Sequence, residues 1–94
     1  VYVAGLTASD SSADIKGQTQ QILDKIDGYL ATAGTDKSKL LQANLWITDM
    51  ANFAAMNEVW NAWVDAENPP VRACVCVSLA RPQLLVEIMV TGTK

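Results

Sequence analysis

Four residues of one region could do chemistry together. Arg72, Cys74 and Cys76 stand at alternate positions of the run Arg72-Ala73-Cys74-Val75-Cys76, and Glu87 follows in Val86-Glu87-Ile88. A guanidinium offers a rigid fork that matches a small carboxylate. A partly desolvated carboxylate can position or activate a water. What is missing narrows the chemistry further. The 94 residues include no histidine, which excludes Ser-His-Asp and Cys-His nucleophiles, His-ligated zinc and an imidazole base. Cys74 and Cys76, two apart on a strand, lie at or beyond the usual reach of a disulfide, and there is no third thiol or imidazole to complete a metal site. No metal and no cofactor is expected. The two cysteines read as small semi-buried residues in a reducing compartment, and with no secretory signal the expected location is the cytoplasm.

The elements that must position these residues are legible from periodicity. Half the chain is hydrophobic, 18% is charged and the net charge is −3, which excludes disorder and a basic stripe for nucleic acid. No apolar run approaches the length of a membrane span. Val1 to Ala4 is a β-prone run closed by Gly5. From Asp14 to Ala33 the apolar residues Ile15, Ile22, Leu23, Ile26, Tyr29 and Leu30 recur at three-to-four spacing and predict a helix. Ser12 or Asp14 can cap it, and Gly34 stands where a glycine ends a helix. Alternation over Leu40 to Thr48 predicts a strand. A second helix, about Asn52 to Val64, presents Phe53, Met56, Val59, Trp60 and Trp63 on one stripe, read as helix-to-sheet core. Asp24 and Asp27 read as solvated helix surface. Pro69-Pro70 ends that unit, and strands are predicted over 72–79 and 84–91, joined by 80–83. The order β-α-β-α-β-β gives an α+β two-layer sandwich, with two helices on one face of a sheet.

If the last two strands form a hairpin, parity assigns their faces. The register that buries Ala73, Val75 and Val77 with Leu84, Val86, Ile88 and Val90 beneath the helices leaves Arg72, Cys74, Cys76, Glu87 and Met89 on the other face. Arg72 would then be a diagonal neighbour of Glu87. A face of Cys, Leu and Met around one cation and one anion is too apolar to be solvent-facing, so it is expected to meet another subunit, with a pocket at the contact.

Pro70-Val71-Arg72-Ala73-Cys74-Val75, followed by Leu85-Val86-Glu87-Ile88, resembles the C-terminal signature of the RidA/YjgF family. Gly17-Gln18-Thr19-Gln20-Gln21 is similar to that family's G-Q-x-x-Q region. The segment Asp49 to Asn57, with Phe53 inside it, resembles its D-hydrophobic-x-x-F-x-x-hydrophobic-N motif. The likeness covers nearly the whole chain. It implies a chorismate-mutase-like protomer over residues 1–94, assembled as a homotrimer with clefts between subunits. It also implies hydrolysis of reactive 2-enamino and 2-imino acids to 2-oxo acids and ammonia. Arg72 matches the arginine that grips the substrate carboxylate and Glu87 the glutamate associated with the hydrolytic water. Gly5, Asn57 and Cys74 match positions that line the cleft.

The sequence also departs from the family pattern. Ala4 stands where the well-known deaminase branch tends to have serine, and Cys76 and Met89 replace residues often acidic there. The family usually has one more strand upstream of what is Val1 here, which the domain is expected to lack. These departures suggest a divergent subgroup. The alternative expectation is a non-catalytic binding module for small 2-oxo or other carboxylic acids. Ribonuclease activity, associated with some members, fits poorly with a chain that has no histidine and few basic residues.

Overall fold

The computed structural model describes residues 1–94. Four strands, β1 (Tyr2–Leu6), β2 (Leu40–Ile47), β3 (Val71–Cys76) and β4 (Val86–Gly92), form one sheet. Two helices, α1 (Ile15–Thr32) and α2 (Phe53–Trp63), cover one of its faces. The α+β class and the two-layer arrangement are those expected from the sequence. Asp14 caps α1 by accepting from the Gly17 N–H at 2.8 Å. The helix closes on Gly34, whose φ of +79° is the left-handed conformation that favours glycine. There the Thr35 N–H bonds to the Leu30 carbonyl and the Gly34 N–H to that of Ala31, satisfying two carbonyls of the last turn. Ile22, Leu23, Ile26 and Leu30 of α1 are completely or almost completely buried. Each contributes roughly 2 kcal/mol by leaving water. No helix is long and apolar enough to cross a membrane.

The strand order is β1-β4-β2-β3, and it corrects the expected hairpin. β3 pairs only with β2, in parallel, and β4 lies between β1 and β2, antiparallel to both. Parallel neighbours need a crossover, and α2 supplies it. The two central strands carry the most apolar sets beneath the helices, Ala43, Leu45 and Ile47 on β2 and Val86, Ile88 and Val90 on β4, each 0–1% exposed.

The register reverses the expected faces of β3. Arg72, Cys74 and Cys76 share rungs with Ala43, Leu45 and Ile47, so they lie on the helix side. Val71, 70% exposed, and Val75, 47% exposed, face outward. Parity placed Glu87 and Met89 correctly away from the helices: Glu87 shares its rung with Trp46 of β2 and Met89 with Asn44. The physical reason is position in the sheet. An edge strand has its helix-side rim only partly covered, so long polar residues are tolerated there.

β1 continues through Gly5 to Leu6 instead of closing at it. Its register slips between Val3, opposite Val90, and Leu6, opposite Ile88, so an extra residue bulges out beside Glu87. One assignment of surface charge also changes. Asp27 accepts a hydrogen bond from the Trp63 indole at 3.0 Å and ties α1 to the end of α2.

Candidate functional site

Helix α2 and strand β3 build one cluster. Phe53, Asn57 and Trp60 fall at i, i+4 and i+7, one face of α2. The Arg72 guanidinium reaches over that face, 5.3 Å from the Trp60 ring centroid and 6.0 Å from that of Phe53. Both distances are within cation–π range. Arg72 makes no ion pair, because the one in the chain joins Lys16 to Glu58 at 2.5 Å on the surface. Its Nη1 is buried without a partner, and so is Oδ1 of Asn57. A guanidinium held between aromatic rings with a free donor is poised for an anion, and a carboxylate matches its fork.

Cys74 follows two residues along β3, half-buried and packed against the core. Burial pushes its thiol above the ordinary range, and the Arg72 charge nearby offsets this only in part. It therefore stands as a neutral thiol at neutral pH, a wall and weak donor.

Strands β1 and β4 build a second cluster. The bulge brings Gly5 against Glu87 so closely that a Cβ there would overlap the carboxylate oxygen Oε2. A side chain there would push the flexible end of Glu87 aside, whereas the backbone of Gly5 has no positive φ that would itself demand glycine. Glu87 is partly buried, with no ion-pair partner, beside Trp46. Gln18 of α1 fixes this region from behind. Its fully buried amide donates to the carbonyls of Ser11, Ala13 and Gln83 and accepts from the Leu85 N–H at 3.0 Å. One side chain thus ties the loop after β1 to the entry of β4, two residues before Glu87.

The five residues singled out from sequence fall into two groups. Arg72, Cys74 and Asn57 come together; Gly5 and Glu87 come together; the groups do not meet within the chain. β2 lies between β3 and β4, and the rungs of Arg72 and Glu87 differ by three residues. Strand spacing and rise put their Cα positions on the order of 14 Å apart, and their side chains leave opposite faces. The diagonal Arg72–Glu87 contact expected from a hairpin is absent. The largest surface groove, about 700 Å³, lies between Thr48, Cys76 and the 77–82 connection and includes neither residue. The sequence reads Phe53 and Trp60 as core alone, and it gives Gln18 only as part of the G-Q-x-x-Q likeness, with no structural role. The i, i+4, i+7 spacing that brackets Asn57 with two aromatics was the available signal for the first two.

The Endoribonuclease L-PSP family model matches residues 1–93. A RutC family protein of Haemophilus ducreyi is 44% identical over 91 residues, spanning 97% of this chain and 78% of that protein. The RutC family protein YoaB of Escherichia coli is 42% identical over 92 residues, 98% of this chain and 80% of its own length. A crystal structure of a YjgF-family protein from Neisseria meningitidis superposes with a TM-score of 0.94 at 41% identity, covering 99% of this chain and 77% of that one. A Pseudomonas aeruginosa protein does so with a TM-score of 0.96 at 34% identity, covering 99% and 81%. With the family model spanning the whole sheet and both helices, and relatives above 40% identity along nearly all its length, this chain belongs to the RidA/YjgF family.

Proposed function

We propose that this protein hydrolyses reactive 2-enamino and 2-imino acids to 2-oxo acids and ammonia, at sites formed between copies of the chain in a homotrimer. The observation that carries the reading is the Arg72 guanidinium, buried at Nη1, walled by Trp60 and Phe53 and left without an anion. It grips the substrate carboxylate. Glu87 orients a water and takes its proton as oxygen bonds to C2 of the imine. Return of that proton to nitrogen gives the carbinolamine, and transfer of its hydroxyl proton to nitrogen, again through Glu87, forms the C2 carbonyl as the C–N bond breaks and ammonia leaves. An enamine enters the same sequence after tautomerising to the imine. The C=N carbon is intrinsically electrophilic, so positioning and one water suffice, and no histidine or cofactor is called on.

Arg72 and Glu87 leave opposite faces of the sheet, so the Arg72 group of one copy must meet the Gly5–Glu87 group of another. The outer face supports such contact: Tyr2, 89% exposed on β1 at one edge, and Val71 and Val75 on β3 at the other present apolar side chains suited to a second copy. The cytoplasm, where such intermediates arise, is the proposed location. The endoribonuclease named in the family model's description is not the reading preferred here, since the chain has no histidine and only seven Lys and Arg against ten Asp and Glu.

The test generates the enamine in situ with a serine or threonine dehydratase and follows its decay. The protein accelerates decay, and Arg72→Ala lowers the acceleration about 10- to 100-fold, as expected for losing a charge-assisted carboxylate contact. Unchanged acceleration in the variant contradicts the role of Arg72. One observation favours a second reading: the Arg72 group could capture a carboxylate without Glu87. Binding of 2-oxo acids with no effect on enamine lifetime would establish that non-catalytic module instead.

A further inference from the structure

Two buried polar atoms on one patch lack partners, and they are complementary in what they need. Nη1 of Arg72 can only donate and Oδ1 of Asn57 can only accept. Buried polar atoms are nearly always paired in native proteins, so a pair of orphans at one place points to a missing ligand. Their proximity follows from the helix. Asn57 lies one turn beyond Phe53 and one turn before Trp60 on α2, and the guanidinium carbon stands over both of those rings. A ligand seated here must present an acceptor to Arg72 and, within the reach of a small molecule, a donor to Asn57.

We infer that Asn57 is the specificity-determining residue of this site, selecting small carboxylates that carry a hydrogen-bond donor on the carbon next to the carboxylate. The inference rests on the carboxylate reading of Arg72 and adds what lies beside the carboxylate. A 2-imino or 2-enamino acid has N–H at that position and satisfies Oδ1. A 2-oxo acid offers only a carbonyl oxygen, whose lone pairs face those of Oδ1. The same amide that recognises the substrate therefore disfavours the hydrolysis product, and exchange of nitrogen for oxygen at C2 triggers its release. Differences of this kind arise because a site built to pair a donor leaves its own buried group unsatisfied with the analogue that lacks one.

Stable probes test this without turnover. Calorimetric titration compares 2-hydroxybutyrate, whose hydroxyl donates, with 2-oxobutyrate, which cannot, and with butyrate as the carboxylate alone. The wild type should bind 2-hydroxybutyrate roughly 5- to 10-fold more tightly than 2-oxobutyrate. Asn57→Leu should bring that ratio to about one, with butyrate affinity changed less than about two-fold. Asn57→Ala repeats the comparison without the bulk of leucine. Equal affinities in the wild type, a preference for 2-oxobutyrate, or a preference that survives in the Asn57 variants each overturn the inference. Uniform loss of all three acids in those variants also overturns it, assigning Asn57 to support of the guanidinium. If wild type and Arg72→Ala bind the three acids alike or not at all, the carboxylate reading itself fails, and the role of Asn57 falls with it.

Discussion

Residues of this site are defined as much by what surrounds them as by their own chemistry. Gly5 matters because a side chain there would displace the Glu87 carboxylate from where it now sits. Gly5→Ala adds one exposed methyl, so thermal stability should change by less than about 1 kcal/mol. Enamine hydrolysis should nevertheless fall about 10-fold or more, because a displacement near 1 Å at a catalytic group is costly. A variant of full activity would show that the carboxylate need not stay where the bulge places it. Cys74 gives a second test, by pH. Burial raises its thiol above the ordinary range and Arg72 draws it partway back. Ionisation, and with it alkylation by iodoacetamide, should set in at higher pH than for a free thiol. Arg72→Ala removes the favourable charge and should push the onset higher still. Mass spectrometry of the alkylated peptide reads both, and an onset below the ordinary thiol range would contradict this environment.

Elements hold these residues in place through a few long-range ties. Gln18 alone joins α1, the loop after β1 and the entry to β4. Gln18→Ala leaves a buried N–H and several carbonyls without partners and should cost about 3 kcal/mol or more in chemical denaturation. A loss below about 1 kcal/mol would show that water replaces the amide. Both helices, β2 and the two-layer class were legible in the sequence, because Ile22, Ile26 and Leu30, or Leu41, Ala43 and Leu45, repeat at distinctive periods. The neighbours of β3 and β4 were not legible. Strands consecutive in sequence usually pair, and a short polar connection made a hairpin the natural reading. The overlooked signal was compositional: Arg72, Cys74 and Cys76 form the most polar helix-side set of the sheet, suited to an edge, while Val86, Ile88 and Val90 are suited to the middle. Inverting that placement turned the faces of β3 around. The candidate residues were still singled out, because the family likeness rests on sequence motifs and is indifferent to register.

At the scale of the whole molecule, the sheet separates the two halves of the proposed site. The Arg72 group faces the helices at the β3 edge, and the Gly5–Glu87 group faces outward where β1 meets β4. The central claim is that a working site takes Arg72 from one copy and Glu87 from another. Co-expression of Arg72→Ala with Glu87→Gln tests it most directly, using the dehydratase-coupled enamine assay. Each variant alone should keep no more than about a tenth of wild-type activity. In randomly mixed oligomers, about a quarter of the sites should pair an intact Arg72 with an intact Glu87 contributed by different chains. The account therefore predicts recovery of about a quarter of wild-type activity. Mixed oligomers that form and stay at the level of the single variants would contradict it.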